Sequence, residues 1–172
     1  MTLPQMEPKN ATRGEAVILF MVAATTFAIS ANAVEEIRSV DSLRPLAQSG
    51  TTQRAKANFV LERAGKTYSV VDAGLYFGGS PALLPRLLVL RGCTVALLVE
   101  QIGLMTRIFA LYALPRAFVG KERQWYRGLA LLPGPGGNGD CQVVPVVNPD
   151  VFLGQAEIAT LRGRSRAKEA GV

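Results

Sequence analysis

The chain contains no histidine. That absence excludes Ser–His and Cys–His nucleophile pairs, histidine-ligated metals and imidazole acid–base catalysis together. Cysteine is nearly missing too: Cys93 and Cys141 have no C-x-x-C spacing and read as core thiols on strands, consistent with a reducing compartment. Aromatic residues make up 7% of the sequence and include one tryptophan, too few to suggest an extended stacking surface for nucleic acid. Acidic residues are outnumbered by Lys and Arg, leaving a net charge of +6. The excess is densest over Arg107–Arg127 and in the tail Arg162–Lys168, and it suits an acidic partner, a nucleic acid or a membrane face without choosing among them. Apolar residues are plentiful, at 49% of 172 positions, enough to bury a core in one domain or two small ones.

Those apolar residues are arranged as a duplication. Lys66–Gly78 reads KTYSVVDAGLYFG, and Gln142–Gly154 reads QVVPVVNPDVFLG. Val70-Val71 matches Val146-Val147, Asp72 matches Asn148, Tyr76 matches Phe152 and Gly78 matches Gly154. Each copy is a β-branched run, an Asx that ends the strand and caps one helical turn, and a Gly that stops the turn. A second echo precedes each copy: Phe27-Ala28-Ile29 aligns with Val95-Ala96-Leu97, and Val34 with Ile102. The same two units in the same order predict two related subdomains, about residues 15–80 and 85–155, after a loose lead over 1–14 and before a basic tail or helix over 156–172. Short strands, regular turns and little helix point to small β-barrels.

The segment Ala16–Val34 carries no charge, follows Lys9 and Arg13 and ends in Ala31-Asn32-Ala33, a pattern that also fits an export signal cleaved at an A-x-A site. Against that stand Glu15 at its border, the polar Thr25-Thr26 and Ser30-Ala31-Asn32, and a break at Ala23–Thr25 that suits a hairpin. The strand reading predicts a protein without membrane insertion; the alternative is an exported or anchored β-domain. Further along, Asn58–Asp72 gives two strands about Ala64-Gly65, and Leu87–Val99 gives a hairpin turning at Arg91-Gly92. Glu100–Leu114 suits either a strand or a helical face, and strands resume at Leu129–Leu132 and Gln142–Val147.

Few constellations suggest chemistry. Gly134-Pro135-Gly136-Gly137-Asn138-Gly139 satisfies G-x-G-x-x-G, but a strand rather than a helix follows, so it reads as a hairpin loop. Asp72 has no partner carboxylate, and its counterpart Asn148 cannot titrate, so both are structural caps. Glu35 and Glu36 adjoin, which places them on opposite faces of a strand and splits them as a metal pair. Trp125-Tyr126-Arg127, near Lys121 and Arg123, mixes aromatics with cations; it reads as a structural anchor, with a basic nucleic-acid-binding barrel as the alternative. No cofactor, metal or catalytic residue is expected.

The motifs in their order resemble the CheW family of chemotaxis coupling proteins over roughly Val17–Leu153. The family's V-x-E-[IV]-R appears as Val34-Glu35-Glu36-Ile37-Arg38, and its P-V-V-D-L as Ser69-Val70-Val71-Asp72-Ala73. Its G-[LI]-[LV]-V-[DE] strand appears as Ala96-Leu97-Leu98-Val99-Glu100, its R-G as Arg127-Gly128, and its closing motif as Pro145-Val146-Val147-Asn148-Pro149-Asp150. The family's N-L-R-G turn reads Glu62-Arg63-Ala64-Gly65, placing the arginine one position early, where strand alternation turns it to the other face unless a bulge intervenes.

The resemblance implies an all-β fold of two SH3-like five-stranded β-barrel subdomains, with short helical turns and a C-terminal helix. It implies a cytoplasmic, non-enzymatic scaffold that joins methyl-accepting chemoreceptors to the regulatory domain of a CheA-type histidine kinase, with no nucleic acid involved. It assigns Val34, Glu36, Ile37, Arg38 and Arg63 to kinase docking, and Ala96, Ile102 and Met105 to a receptor groove between the subdomains. Ordinary strand and core packing remains the alternative for both sets.

Overall fold

The computed structural model describes residues 8–40, 43–45, 57–77, 79, 85–116, 118, 120–134 and 139–152. Among them the chain is built of strands: β1 (Pro8–Val22), β2 (Thr25–Ser30), β3 (Val34–Ser39), β4 (Arg44–Pro45), β5 (Ala57–Arg63), β6 (Lys66–Asp72), β7 (Arg86–Leu90), β8 (Val95–Val99), β9 (Gln101–Tyr112), β10 (Tyr126–Pro133) and β11 (Cys141–Val147). A single helical turn, α1 (Ala73–Tyr76), follows β6. The C-terminal helix and the basic tail, the repeat glycines Gly78 and Gly154, and most of the Gly-rich loop lie outside the described residues.

Local sequence explains the hairpins. Ala23 and Ala24 adopt positive φ (47° and 60°) and join β1 to β2 through a two-residue loop, as Ala64 and Gly65 (47° and 72°) join β5 to β6. Left-handed conformation at both loop positions matches the twist of the flanking strands. Ala16–Val34 is therefore a hairpin that runs into β3, and Val17, Phe20, Val22 and Ile29 along it are buried.

The strands form a closed barrel, β1-β2-β11-β10-β9, and a six-stranded sheet, β3-β7-β8-β6-β5-β4. The all-β expectation holds, with β4 added as a two-residue strand beside β5. The sheets cut across the expected contiguous division near residues 80–85. The first-half hairpin β1-β2 joins β9, β10 and β11, while the second-half hairpin β7-β8 joins β3 to β6. The reason lies in the repeated Val-Val unit. β6 runs parallel to β8 with Val70 opposite Ala96, and β11 runs parallel to β2 with Val146 opposite Ala28. Each Val-Val strand is thus paired with the hairpin of the other half.

This exchange yields three cores. Val17, Ala28, Ile108, Val144 and Val146 fill the barrel, and Leu61, Val70, Leu87, Val89, Ala96 and Leu98 line the second sheet. Between them lies a larger core with Phe20, Phe27, Ile29, Val71, Leu88, Leu97, Val147 and Phe152. In each repeat the first valine faces its own sheet's interior and the second faces the shared core, as period-two alternation requires. The lead expected over residues 1–14 contributes Pro8–Gly14 to β1. Register shifts between Pro8 and Asn10, and between Ala11 and Glu15, accommodate a polar, proline-bearing stretch along β9.

Candidate functional site: two strand margins and the seam

β3 lies at one end of the second sheet, hydrogen-bonded to β7 alone. Its side chains alternate: Val34 is buried, Glu36 and Arg38 are half-buried, and Glu35, Ile37 and Ser39 are exposed. Ile37 is 47% accessible, an apolar side chain set among charges. Arg63, the last residue of β5, reaches across to this strand. Its Nη1 donates to Glu35 Oε1 at 3.2 Å, and its Nη2 lies 2.5 Å from Glu36 Oε2. Glu36 Oε2 is enclosed and accepts no well-angled hydrogen bond, so that second contact is ionic. Arg38 Nε approaches Glu36 Oε1 at 3.6 Å, which extends the charge ladder. The Glu35 hydrogen bond raises the Arg63 pKa above its ordinary value against an opposing desolvation, helped by the Glu36 charge.

Adjacent residues Glu35 and Glu36 were expected on opposite faces. Burial along β3 keeps that alternation, and the long Arg63 side chain at the end of β5 still brings one guanidinium to both carboxylates. The same ion pairs tie β5 to β3, two strands that share no ladder, and so draw the ends of the sheet together. Arg91 Nη2 donates to the Val34 carbonyl at 3.3 Å and pins the start of β3.

The second set of residues lies on β9 beside β1. Ile102 is opposite Phe20 and packs on the shared core, while Met105 is opposite Ile18 and 70% exposed. Ala96 is elsewhere: it is fully buried in β8 between Val70 and Val89, inside the second sheet. It can shape a groove only from behind, because its strand is central and buried on both faces.

The repeated caps meet at the seam. Asp72 is 2% exposed, and its side chain accepts from the Leu75 N–H at 3.2 Å. Asn148 Oδ1 accepts from the Asp150 N–H at 3.2 Å, and its Nδ2 donates to the Gln124 carbonyl. The turns they begin bring Tyr76 and Phe152 together with ring centroids 4.9 Å apart. Phe77, Trp125, Tyr126 and Phe27 extend this aromatic cluster, and burial pushes the Tyr76 hydroxyl pKa up. Trp125 and Tyr126 are therefore committed to the seam, which supports the anchor reading over a base-stacking surface. Arg127 is committed as well, in a bidentate pair with Glu15 at 2.6 and 3.0 Å.

Cys93 is half-buried against the shared core, and desolvation raises its thiol pKa. Cys141 departs from the core-thiol expectation: it is exposed at the start of β11, opposite Pro133. Among the described residues no group of three acidic or cysteine side chains is placed to hold a metal ion. No helix among them is long and apolar enough to cross a membrane. Sequence reasoning did not single out Arg91 or Leu104, whose roles depend on which strands become neighbours.

Two small β-sheets fused through a shared core, with charged and apolar strand margins, define the architecture of this all-β domain. The CheW-like domain family model matches residues 16–157, and the chain belongs to that family. It is a non-enzymatic domain. Its structure is similar to that of the scaffolding protein TtCheW from Thermoanaerobacter tengcongensis, with a TM-score of 0.61 over 84% of this chain and 90% of that one. At 12% identity this likeness concerns the fold. No curated protein sequence matches the chain significantly.

Proposed function

We propose that this chain is a cytoplasmic adaptor that couples chemoreceptors to a CheA-type histidine kinase, working as one domain over about residues 15–155. The observation that carries the reading is Ile37, exposed on a terminal strand whose Glu35, Glu36 and Arg38 form a charge ladder with Arg63. An apolar anchor within a charged rim is what a moderately sized protein interface uses: burial supplies affinity and the rim sets register. Val34, Glu36, Ile37, Arg38 and Arg63 form the kinase-facing set, with Val34 acting as the buried support of its strand. Ile102 and Met105 form the receptor-facing set beside the seam, where a flexible thioether suits an amphipathic receptor helix.

The test is a titration of the purified chain against the regulatory domain of a CheA-type kinase. Binding is expected, with Ile37→Asp and Arg63→Glu each weakening it at least about tenfold, while Met105→Glu leaves it unchanged and lowers receptor binding. Absence of binding to such kinase domains, or equal affinity for all variants, contradicts the assignment.

A further inference from the structure

The three most exposed of the large apolar side chains among the described residues all lie on one strand. Leu104 is 79%, Met105 70% and Phe109 65% accessible, and all belong to β9. Along Gln101–Ala110 this strand pairs with β1 on one side; its bridge to β10, among the described residues, is at Tyr112. From that junction toward Gln101, the other margin has no ladder partner among the described residues. Folded proteins ordinarily protect such a margin with charge, proline or a covering element, because its backbone groups are ready to pair with another chain.

We infer that the margin of β9 from Gly103 to Phe109 accepts an extended, acidic peptide strand from a partner protein. Leu104 lies at a register shift, where β9 carries one residue more than β1 between Ile102 and Met105. A strand added at the margin meets both faces, through cross-strand neighbours above and below the sheet.

Charge selects the sequence of that strand. Arg107 stands in the middle of the stretch and its Nη1 donates to the Gly14 carbonyl at 3.0 Å, a contact that does not neutralise it. With Arg127 paired to Glu15, the cations Arg107, Arg116, Lys121 and Arg123 still outnumber the acid Glu122 over Arg107–Arg127 in sequence, within a chain of net charge +6. A second copy fits poorly, since antiparallel pairing centred on this stretch sets the two Arg107 side chains on one face near each other. The inference takes in Met105 from the proposed receptor-facing set, so the peptide and a receptor would compete for it; an adaptor lacking this contact would still hold its kinase through β3.

Amide hydrogen exchange on the full chain tests it, with a synthetic peptide alternating valine and glutamate and a counterpart carrying lysine for glutamate. The glutamate peptide is expected to slow exchange within Gly103–Phe109, less so as salt is raised, and the lysine peptide to leave it unchanged. Leu104→Glu combined with Phe109→Glu, both at exposed positions, is expected to weaken the glutamate peptide at least about tenfold while kinase-domain binding is retained. Four results overturn the proposal: no protection by either peptide, equal protection by both, binding insensitive to salt, or protection in the free chain that grows with its own concentration. The last would assign the margin to a second copy.

Discussion

Asp72 is the one buried charged side chain in the described core, and its single task is to end β6 and start α1. Removing the acceptor in Asp72→Ala is expected to cost about 1–2 kcal/mol, seen as a lower urea midpoint with an unchanged slope, whereas Asp72→Asn keeps an acceptor and loses less. Glu15 gives a pH signature. The Arg127 hydrogen bonds hold its carboxyl pKa below the ordinary range, against a smaller upward push from burial. A depressed folded-state pKa stabilises above the unfolded value, and that contribution is lost as pH falls through the folded one. The stability gap between the native chain and Glu15→Gln should therefore be widest above the ordinary glutamate range and shrink as pH falls below it. A gap that stays constant through that range would show the pair to be inert. At this scale the sequence was a partial guide. The caps were legible because Asx before a turn has a local cause. The position of Arg63 was not, since its reach to Glu35 and Glu36 depends on β3, a strand from elsewhere in the chain, lying within reach of the end of β5.

Among the elements, β9 and β10 show how one residue type sets a junction. A Cβ at Gly128 would run into the Tyr112 carbonyl oxygen and the Leu111 side chain, where β10 shifts register between Tyr126 and Gly128. Backbone cannot yield as a side-chain tip does, so Gly128→Ala is expected to destabilise the chain by about 1–3 kcal/mol. Thermal unfolding would register this, while an unchanged midpoint would mean the junction is loose. The hairpins were readable from their apolar runs and breaks, as at Ala23-Ala24 and Ala64-Gly65. The long arm of β1 was not, because Pro8–Gly14 pairs through its backbone and leaves no hydrophobic pattern to read. For β9 the sequence left helix and strand open, since Ile102, Met105, Ile108 and Phe109 also match a helical stripe. Pairing with β1 decided it, a non-local fact.

At the scale of the whole molecule, duplication was legible and connectivity was not. The alignment of Ala28 with Ala96 and of Val70 with Val146 marked equivalent positions, and the structure pairs them crosswise, Val70 with Ala96 and Val146 with Ala28. Sequence order alone suggests that each half folds on itself; parallel pairing of each Val-Val strand to the other half's hairpin overrides it. The consequence is mechanical. Neither sheet is complete without both halves, and the shared core around Phe20, Val71, Val147 and Phe152 joins them. That fusion holds the margins of β3 on one sheet and β9 on the other in a fixed relation, as the proposed adaptor function requires.

The crosswise assembly is tested most directly by producing residues 1–80 and 85–172 as separate chains and following folding by circular dichroism and amide exchange. Each fragment alone should lack cooperative unfolding, and mixing the two should restore a folded complex with protected amides in β6, β8, β2 and β11. A fragment that folds cooperatively by itself, with its hairpin paired to its own Val-Val strand, would contradict the account.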